Sequence, residues 1–377
     1  MPAKTQFTLF LMNLVSITYT KKSQFDRPED WLYHIRPYIG VLEELGRYFT
    51  VFSIDRIQFS GDFFLRGVFH CFPEVSGRRL TVALRLNRLA SNFKPEVVLV
   101  QGMNFPLQVM LLRWRLGRRV KIIVQNHAEK PGKGLRGWLQ RLSDPFINAY
   151  LFTAREIGDE WISRRIIRRA GKVHEIIEAS SVFKLEDKEK AIERTGFQGS
   201  PGFLWVGRLN ANKDPLTVLR AFLRFAQIQP AARLYMIFQT QELLPAIEEL
   251  LGREPGVGHS VVLLGEKPHD EMEAYYNAAD YLVSGSHYEG GGYAVFEAMS
   301  CGCIPILTDI PSFRQITADG NCGILYDPGD AESLFLAISR ITACDKTVER
   351  EKVLRQFRKA LSFEVIAAGI HEVVVSL

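Results

Sequence analysis

The chain has 377 residues, 47% apolar and 24% charged, a balance that suits two globular domains and excludes disordered or fibrous classes. No apolar run reaches the ~18 residues of a membrane-spanning helix. Five cysteines, odd in number and mostly scattered, argue against a disulfide-stapled secreted fold and for a reduced compartment, the cytoplasm.

The net charge of +5 is unevenly spread. Residues 1–195 carry 32 Lys and Arg against 20 Asp and Glu, an excess of +12, while residues 196–377 carry 15 against 22, an excess of −7. The basic clusters are Arg113-Trp-Arg115, Arg118-Arg119-Val-Lys121, Lys133 to Arg141 around Trp138, and Arg164 to Arg169. Cations beside Trp and Leu suit an anionic membrane surface, here the inner face of the plasma membrane, or an anionic acceptor. The bland alternative is a solvated helix face. Nothing resembles a nucleic-acid motif, so no nucleic-acid partner is expected.

In chain order, strand-like runs alternate with helix-like ones. Residues 7–20, FTLFLMNLVSITYT, follow Lys4 in the manner of a signal peptide. Asn13, Ser16 and Thr18 interrupt the run and no small-residue cleavage site follows, so it reads as a first buried strand at Phe7–Leu14. Strands are predicted at Phe49–Ile54, Val97–Gln101, Lys121–Gln125 and Tyr150–Thr153, and helices at Trp31–Leu45, Leu80–Ser91, Pro106–Leu116 and Gly137–Ile147. His127 and Glu129 directly follow the Lys121–Gln125 strand, at the carboxyl edge where open α/β sheets bind ligands.

Residues 183–200, FKLEDKEKAIERTGFQGS, are polar and end before a proline, so residues 186–200 read as an interdomain linker. A second alternating unit follows. Its strands are predicted at Phe203–Val206, Leu234–Phe238, Val261–Leu264, Tyr281–Val283 and Ile304–Leu307, and its helices at Pro215–Ala226, Asp270–Ala279 and Asp330–Thr342. The division predicted is an N-terminal domain at 1–185 and a second at 201–357, with a helix at about 358–377 returning to the first. The fold class is α/β, two doubly wound parallel sheets facing a central cleft.

Chemistry concentrates in two stretches. Ser284–Gly302, SGSHYEGGGYAVFEAMSCG, runs from a strand through three glycines into a helix, and the first N–H groups of a helix are free to bind an anion. Glu289 precedes the glycines and Glu297 lies inside the helix, whose side chains lean back toward its start. Carboxylates beside a phosphate-binding turn suit neutral hydroxyls, as on a ribose or a hexose. Phe203–Pro215, FLWVGRLNANKDP, sends Gly207 and Arg208 straight out of a strand, with Lys213 before a helix opened by Asp214 and Pro215. An Arg fork and a Lys point charge there suit a diphosphate. Cys301 and Cys303 lie too close together for zinc spacing and lack a second pair, so they read as packing.

VGRLNANKDP followed by SGSHYEGGGYAVFEAMSCGCIPILT closely resembles the signatures of family 4 glycosyltransferases, which are retaining, nucleotide-sugar-dependent enzymes of the GT-B fold. The Glu-x7-Glu element is met by Glu289 and Glu297, and the Gly-Arg-Leu…Lys element by Gly207, Arg208, Leu209 and Lys213. The resemblance implies that Arg208 and Lys213 bind the donor diphosphate and that Glu297 accepts from the ribose. Glu289 would lie at the sugar, with backbone amides around Gly291, Gly292 and Tyr293 on sugar or phosphate oxygens. The base would rest on backbone near Gly265 and Lys267, and His127 looks like the family histidine at the donor sugar. The partners implied are a nucleotide-sugar donor and a carbohydrate or lipid-linked acceptor. No Asp-x-Asp clamp occurs, so no metal and no cofactor are expected.

Two stretches depart from the family. The region after the first strand, SITYTKKSQFDRPEDW, lacks the usual paired glycines, and Met236–Thr240 lacks a glycine turn. The leading alternatives are a sugar-nucleotide-binding protein without transferase activity, and a GT-B epimerase or phosphorylase.

Overall fold

A computed structural model describes residues 11–377 of the chain, which divide into two compact units. Unit 1 comprises the residues up to Glu178 together with Ile366–Leu377, and unit 2 comprises Ala179–Val365.

Among the described residues, unit 1 has eight strands: β1 Met12–Lys21, β2 Phe49–Arg56, β3 Gly61–Leu65, β4 Val68–Phe72, β5 Val97–Gln101, β6 Lys121–Gln125, β7 Ala149–Phe152 and β8 Val173–Glu175. They form one sheet in the order β3-β4-β2-β1-β5-β6-β7-β8, with β3 alone antiparallel to its neighbour. The central strands are continuous apolar runs such as VVLVQ because helices cover both faces. The first described strand runs from Met12 to Lys21, past the predicted end at Leu14, and the predicted residues 7–10 lie outside the described residues. Its hydroxyls do not interrupt it, since buried Ser16 hydrogen-bonds Tyr38 Oη at 2.8 Å. The single helix expected over Trp31–Leu45 is two, Pro28–His34 and Arg36–Leu45. Pro37 has no N–H to return to Tyr33, and its ring would clash with that carbonyl.

Unit 2 holds a wholly parallel six-stranded sheet of β9 Gly202–Gly207, β10 Arg233–Phe238, β11 Val261–Gly265, β12 Tyr281–Ser284, β13 Ile304–Thr308 and β14 Ile324–Tyr326. Its order is β11-β10-β9-β12-β13-β14. The direction of winding reverses between β9 and β12, and the crevice outside the carboxyl ends of two such strands is where this architecture binds ligands. Phe203 and Tyr281 stack at 5.2 Å across that seam, within a core that includes Trp205, Phe222, Tyr276, Phe296 and Phe313.

Residues 186–200 are not a linker. They belong to unit 2 and carry the helix Lys188–Thr195, capped by Asp187 at its start and by left-handed Gly196 at its end. Their charges are the solvent face of that helix, while Ala191 and Phe197 are buried. Lys188 pairs with Asp280, and Glu186 N–H donates to Asn277 Oδ1 at 2.8 Å, fastening the segment to the 269–278 helix. The chain crosses between units at 178/179, and again inside the Phe363–Ser376 helix. Residues 366–377 rest on unit 1, where His371 stacks on Tyr48 at 4.3 Å and Lys121 Nζ donates to Val374 O at 2.6 Å. Among the described residues no helix is long and apolar enough to cross a membrane.

Candidate functional site

The two loops singled out in the sequence of unit 2 leave the carboxyl ends of β9 and β12, the two strands that flank the winding reversal. After Gly207 the chain turns through 208–214 into the Pro215–Ile228 helix. The turn is held by its own polar groups: Lys213 N–H donates to Asn210 Oδ1 at 3.0 Å, and Asp214, at φ +40°, caps the helix by accepting from Thr217 N–H. The loop after β12 lies directly on it. His287 N–H donates to Asn212 O at 2.8 Å, Asn212 Nδ2 donates to Tyr288 O at 3.0 Å, and His287 Nε2 lies 3.1 Å from Asp214 Oδ2. Gly285 permits the approach, because a β-carbon there would stand 2.8 Å from Asp214 O and 3.0 Å from Lys213 O.

The structure therefore brings Lys213 and Glu289 together, as a half-buried ion pair between Lys213 Nζ and Glu289 Oε1. Arg208 stands on the same loop, exposed and without an ion pair among the described residues, a cation free to meet an anion. Buried Gly291 and Gly292 lead into the Tyr293–Ser300 helix. Gly292 takes φ +70°, and an added β-carbon would lie 2.9 Å from the Phe313 ring, so both conformation and space call for glycine. The bond from Val295 N–H to Gly292 O marks the start of the helix, and a helix start is an anion-binding end.

Glu297 lies further along that helix and is buried. Sequence reasoning missed the two residues that hold it: His269 Nε2 lies 2.7 Å from Oε1, and Tyr276 Oη donates to Oε2 at 2.9 Å. Burial first, and the Glu297 charge second, raise the Tyr276 phenol well above its ordinary range, so it remains a donor. The signal was available in outline, since His269 and Tyr276 lie two turns apart on one helix. Gly265 ends β11 at φ +68°, and Lys267 stands 5.9 Å above the Tyr275 ring.

His127 belongs to unit 1. It follows β6, and its backbone N–H donates to Glu129 Oε2 at 2.7 Å, while Glu129 Oε1 accepts from Met103 N–H at 2.9 Å. Its Nδ1 contacts Glu178 Oε2, and its Nε2 lies 2.8 Å from Gln101 Oε1. Gln101 and Glu178, like His269 and Tyr276, were not visible in the sequence as site residues.

Residues 187–359 match the family model described as glycosyl transferases group 1. A GDP-mannose:cellobiosyl-diphosphopolyprenol alpha-mannosyltransferase of Xanthomonas oryzae pv. oryzae is 28% identical over 146 residues. That match takes in 38% of this chain and 38% of the relative, so the chain spans well under half the length of the curated relatives it matches. Sucrose-phosphate synthase from Thermosynechococcus elongatus superposes with a TM-score of 0.70 at 16% identity, over 97% of this chain and 98% of the other. Anabaena HepE in complex with UDP gives 0.71 at 14% identity, over 97% and 100%. At such identities the likeness is one of fold: two parallel-sheet α/β domains of the GT-B type.

Proposed function

We propose that this chain, whose residues 187–359 match the glycosyl transferases group 1 model, is a retaining family 4 enzyme that moves a hexosyl unit from a nucleotide-diphosphate sugar to an acceptor hydroxyl. The observation that carries the reading is the meeting of two loops at the winding reversal of unit 2. There a free Arg208, the Lys213–Glu289 pair and a glycine-led helix start lie on adjoining segments.

In this reading Arg208 and Lys213 take the donor diphosphate and stabilise the negative charge that grows on it as the sugar–oxygen bond breaks. Lys213 then shares its charge between Glu289 and phosphate, which leaves Glu289 oxygens for sugar hydroxyls. Glu297 accepts from the ribose, for each carboxylate oxygen keeps a second lone pair after bonding His269 or Tyr276. Gly291, Gly292 and Tyr293 supply backbone to the sugar and phosphate oxygens, Gly207 ends β9 beside the diphosphate, and the base lies along Gly265–Lys267. The resemblance assigns His127 to the donor sugar. Retention follows if the acceptor oxygen attacks the anomeric carbon on the face the diphosphate leaves, passing its proton to the departing phosphate oxygen. The two cations supply the charge that a metal would otherwise bring.

The relatives' own names speak of GDP-mannose in one case and a UDP complex in another, which supports a nucleotide-sugar donor. The product belongs to polysaccharide, lipopolysaccharide or glycolipid synthesis. A lipid-linked acceptor agrees with unit 1, whose Gly134–Ser143 helix exposes Leu135, Trp138 and Leu142 at helical spacing among Lys133, Arg136 and Arg141. Trp114, 81% exposed between Arg113 and Arg115, stands on the neighbouring Pro106–Leu116 helix.

The test is release of nucleoside diphosphate from UDP-, GDP- and ADP-sugars in the presence of a bacterial lipid extract. One nucleotide class should be consumed, and Lys213→Ala should reduce turnover by about 10²–10³-fold. Equal turnover by wild type and variant would overturn the assignment.

A further inference from the structure

We propose that Glu178 is a positioning residue that holds His127 as a doubly protonated imidazolium, fixed in orientation, so that it acts as a cation and hydrogen-bond donor rather than as a base. The role rests on the transfer reaction proposed above, whereas the ion pair itself does not.

Glu178 is a buried carboxylate, 5% exposed, on the segment that follows β8. Its side chain meets His127 Nδ1. A buried carboxylate without a cation is costly, which makes a charged partner the favoured one. The other ring nitrogen also faces an oxygen, Gln101 Oε1 at 2.8 Å. The amide of Gln101 is oriented in turn by two hydroxyls, since its Nε2 donates to Tyr38 Oη at 2.5 Å and to Ser16 Oγ at 3.2 Å. With acceptors on both sides, a neutral imidazole would leave one lone pair facing an oxygen. Only the imidazolium satisfies both.

The charges facing the ring come from three segments. Glu178 lies at Nδ1, Glu129 accepts the His127 N–H from within the same loop, and Lys22 follows the end of β1. Burial pulls the imidazole down, and Lys22 adds to that. The Glu178 charge and hydrogen bond, with Glu129 behind them, outweigh both and hold it above its usual range. The competing arrangement is a flipped Gln101 amide donating to a neutral Nε2. In that case His127 would retain one acceptor nitrogen, and a base role would be open to it.

A protonated His127 cannot take the acceptor proton. It offers an N–H and a positive charge to a substrate oxygen that displaces Gln101, which is the role of a charge-stabilising donor.

The experiment is a ¹⁵N–¹H correlation of the histidine rings across pH 5.5 to 9 in the full, ligand-free chain, with His127 assigned by its loss in His127→Gln. The inference expects both ring nitrogens of His127 to remain protonated at pH 7. It also expects Glu178→Gln to move its titration down by at least about one pH unit, a tenfold change. A neutral His127 at pH 7 in the wild type overturns the proposal, with no variant required. So does a titration unmoved in Glu178→Gln. Turnover gives a second reading: Glu178→Gln should lose kcat on the alkaline side while retaining more of it at pH 6. An imidazolium in a chain that consumes no nucleotide sugar would sink the proposed function and leave the pair standing. Turnover by a chain whose His127 is neutral would do the reverse.

Discussion

Replacing Gly285 by alanine probes how packing around the β12 exit sets the place of Lys213. The added methyl would lie 2.8 Å from Asp214 O, 3.0 Å from Lys213 O and 3.1 Å from Val218 Cγ2. Two of these neighbours are backbone, so no rotamer change relieves the contact, and the 208–214 turn must retreat by a few tenths of an ångström. Retreat stretches the His287 N–H to Asn212 O bond, 2.8 Å long, and the Asn212 Nδ2 to Tyr288 O bond, 3.0 Å long. Overpacking of this kind costs about 1–3 kcal/mol. For a unit of this size each kcal/mol lowers the melting temperature by about 2–4 °C, so a fall of roughly 2–12 °C is expected. Lys213 moves with its carbonyl, and misplacement of a charged contact should weaken nucleotide-sugar binding by about tenfold or more. Thermal unfolding with and without donor measures both. A variant that melts with the wild type and binds donor as tightly would refute the argument, because it would mean the two loops are not held at contact distance.

Tyr276→Phe deletes one hydrogen bond to Glu297, and Glu297→Ala leaves both Tyr276 and His269 without that partner. The Ala variant should therefore lose about 1–3 kcal/mol of stability in addition to donor affinity, and the Phe variant about 1 kcal/mol; equal melting temperatures for all three proteins would contradict this. Burial alone would raise the carboxyl of half-buried Asp280, yet bonds from Lys188 and Gly202 N–H, with Lys346 nearby, bring it below its ordinary value. A depressed folded value stabilises the fold above about pH 3.9 and is lost as pH falls through it, so Asp280→Asn should cost stability at pH 7 and progressively less in acid. A loss that stays constant down to pH 2.5 would oppose that assignment. Leu135→Ser with Trp138→Ser should abolish cosedimentation with phosphatidylglycerol vesicles while leaving the fold intact, and partition like that of the wild type would show that this face does not meet a membrane.

Much of the fold was legible because its strands are short apolar runs between helices of clear period. The boundaries of Val97–Gln101, Lys121–Gln125 and Pro106–Leu116 match the sequence reading residue for residue. The β3–β4 hairpin was not legible. Its turn is Arg66-Gly67, both at positive φ, in place of the Asn-Gly that usually signals such turns, and Phe64 on it is exposed. Residues 186–200 misled for a different reason. A surface helix that buries little more than Ala191 has the composition of a linker, and only its caps, Asp187 and Gly196, distinguish it.

At the candidate site, the residues on the two loops were visible because glycines, cations and carboxylates fall at fixed spacing after strands. Their partners were not. Glu178 lies 51 residues from His127, Gln101 lies 26 away, and His269 lies 28 from Glu297. Such pairings depend on which strand ends become neighbours, and sheet order is not written in local periodicity. Gly285 was within the quoted motif, but its need for an absent side chain arises from a turn some seventy residues earlier.

The central claim is that the β9 and β12 exits of unit 2 hold a nucleotide-diphosphate sugar. Isothermal titration of UDP-, GDP- and ADP-sugars into wild type, Lys213→Met and Glu297→Ala tests it most directly. The account predicts that one nucleotide class binds the wild type and that both variants weaken it by tenfold or more, about 1.4 kcal/mol. Binding of equal strength in all three proteins, or no binding to the wild type, would contradict it.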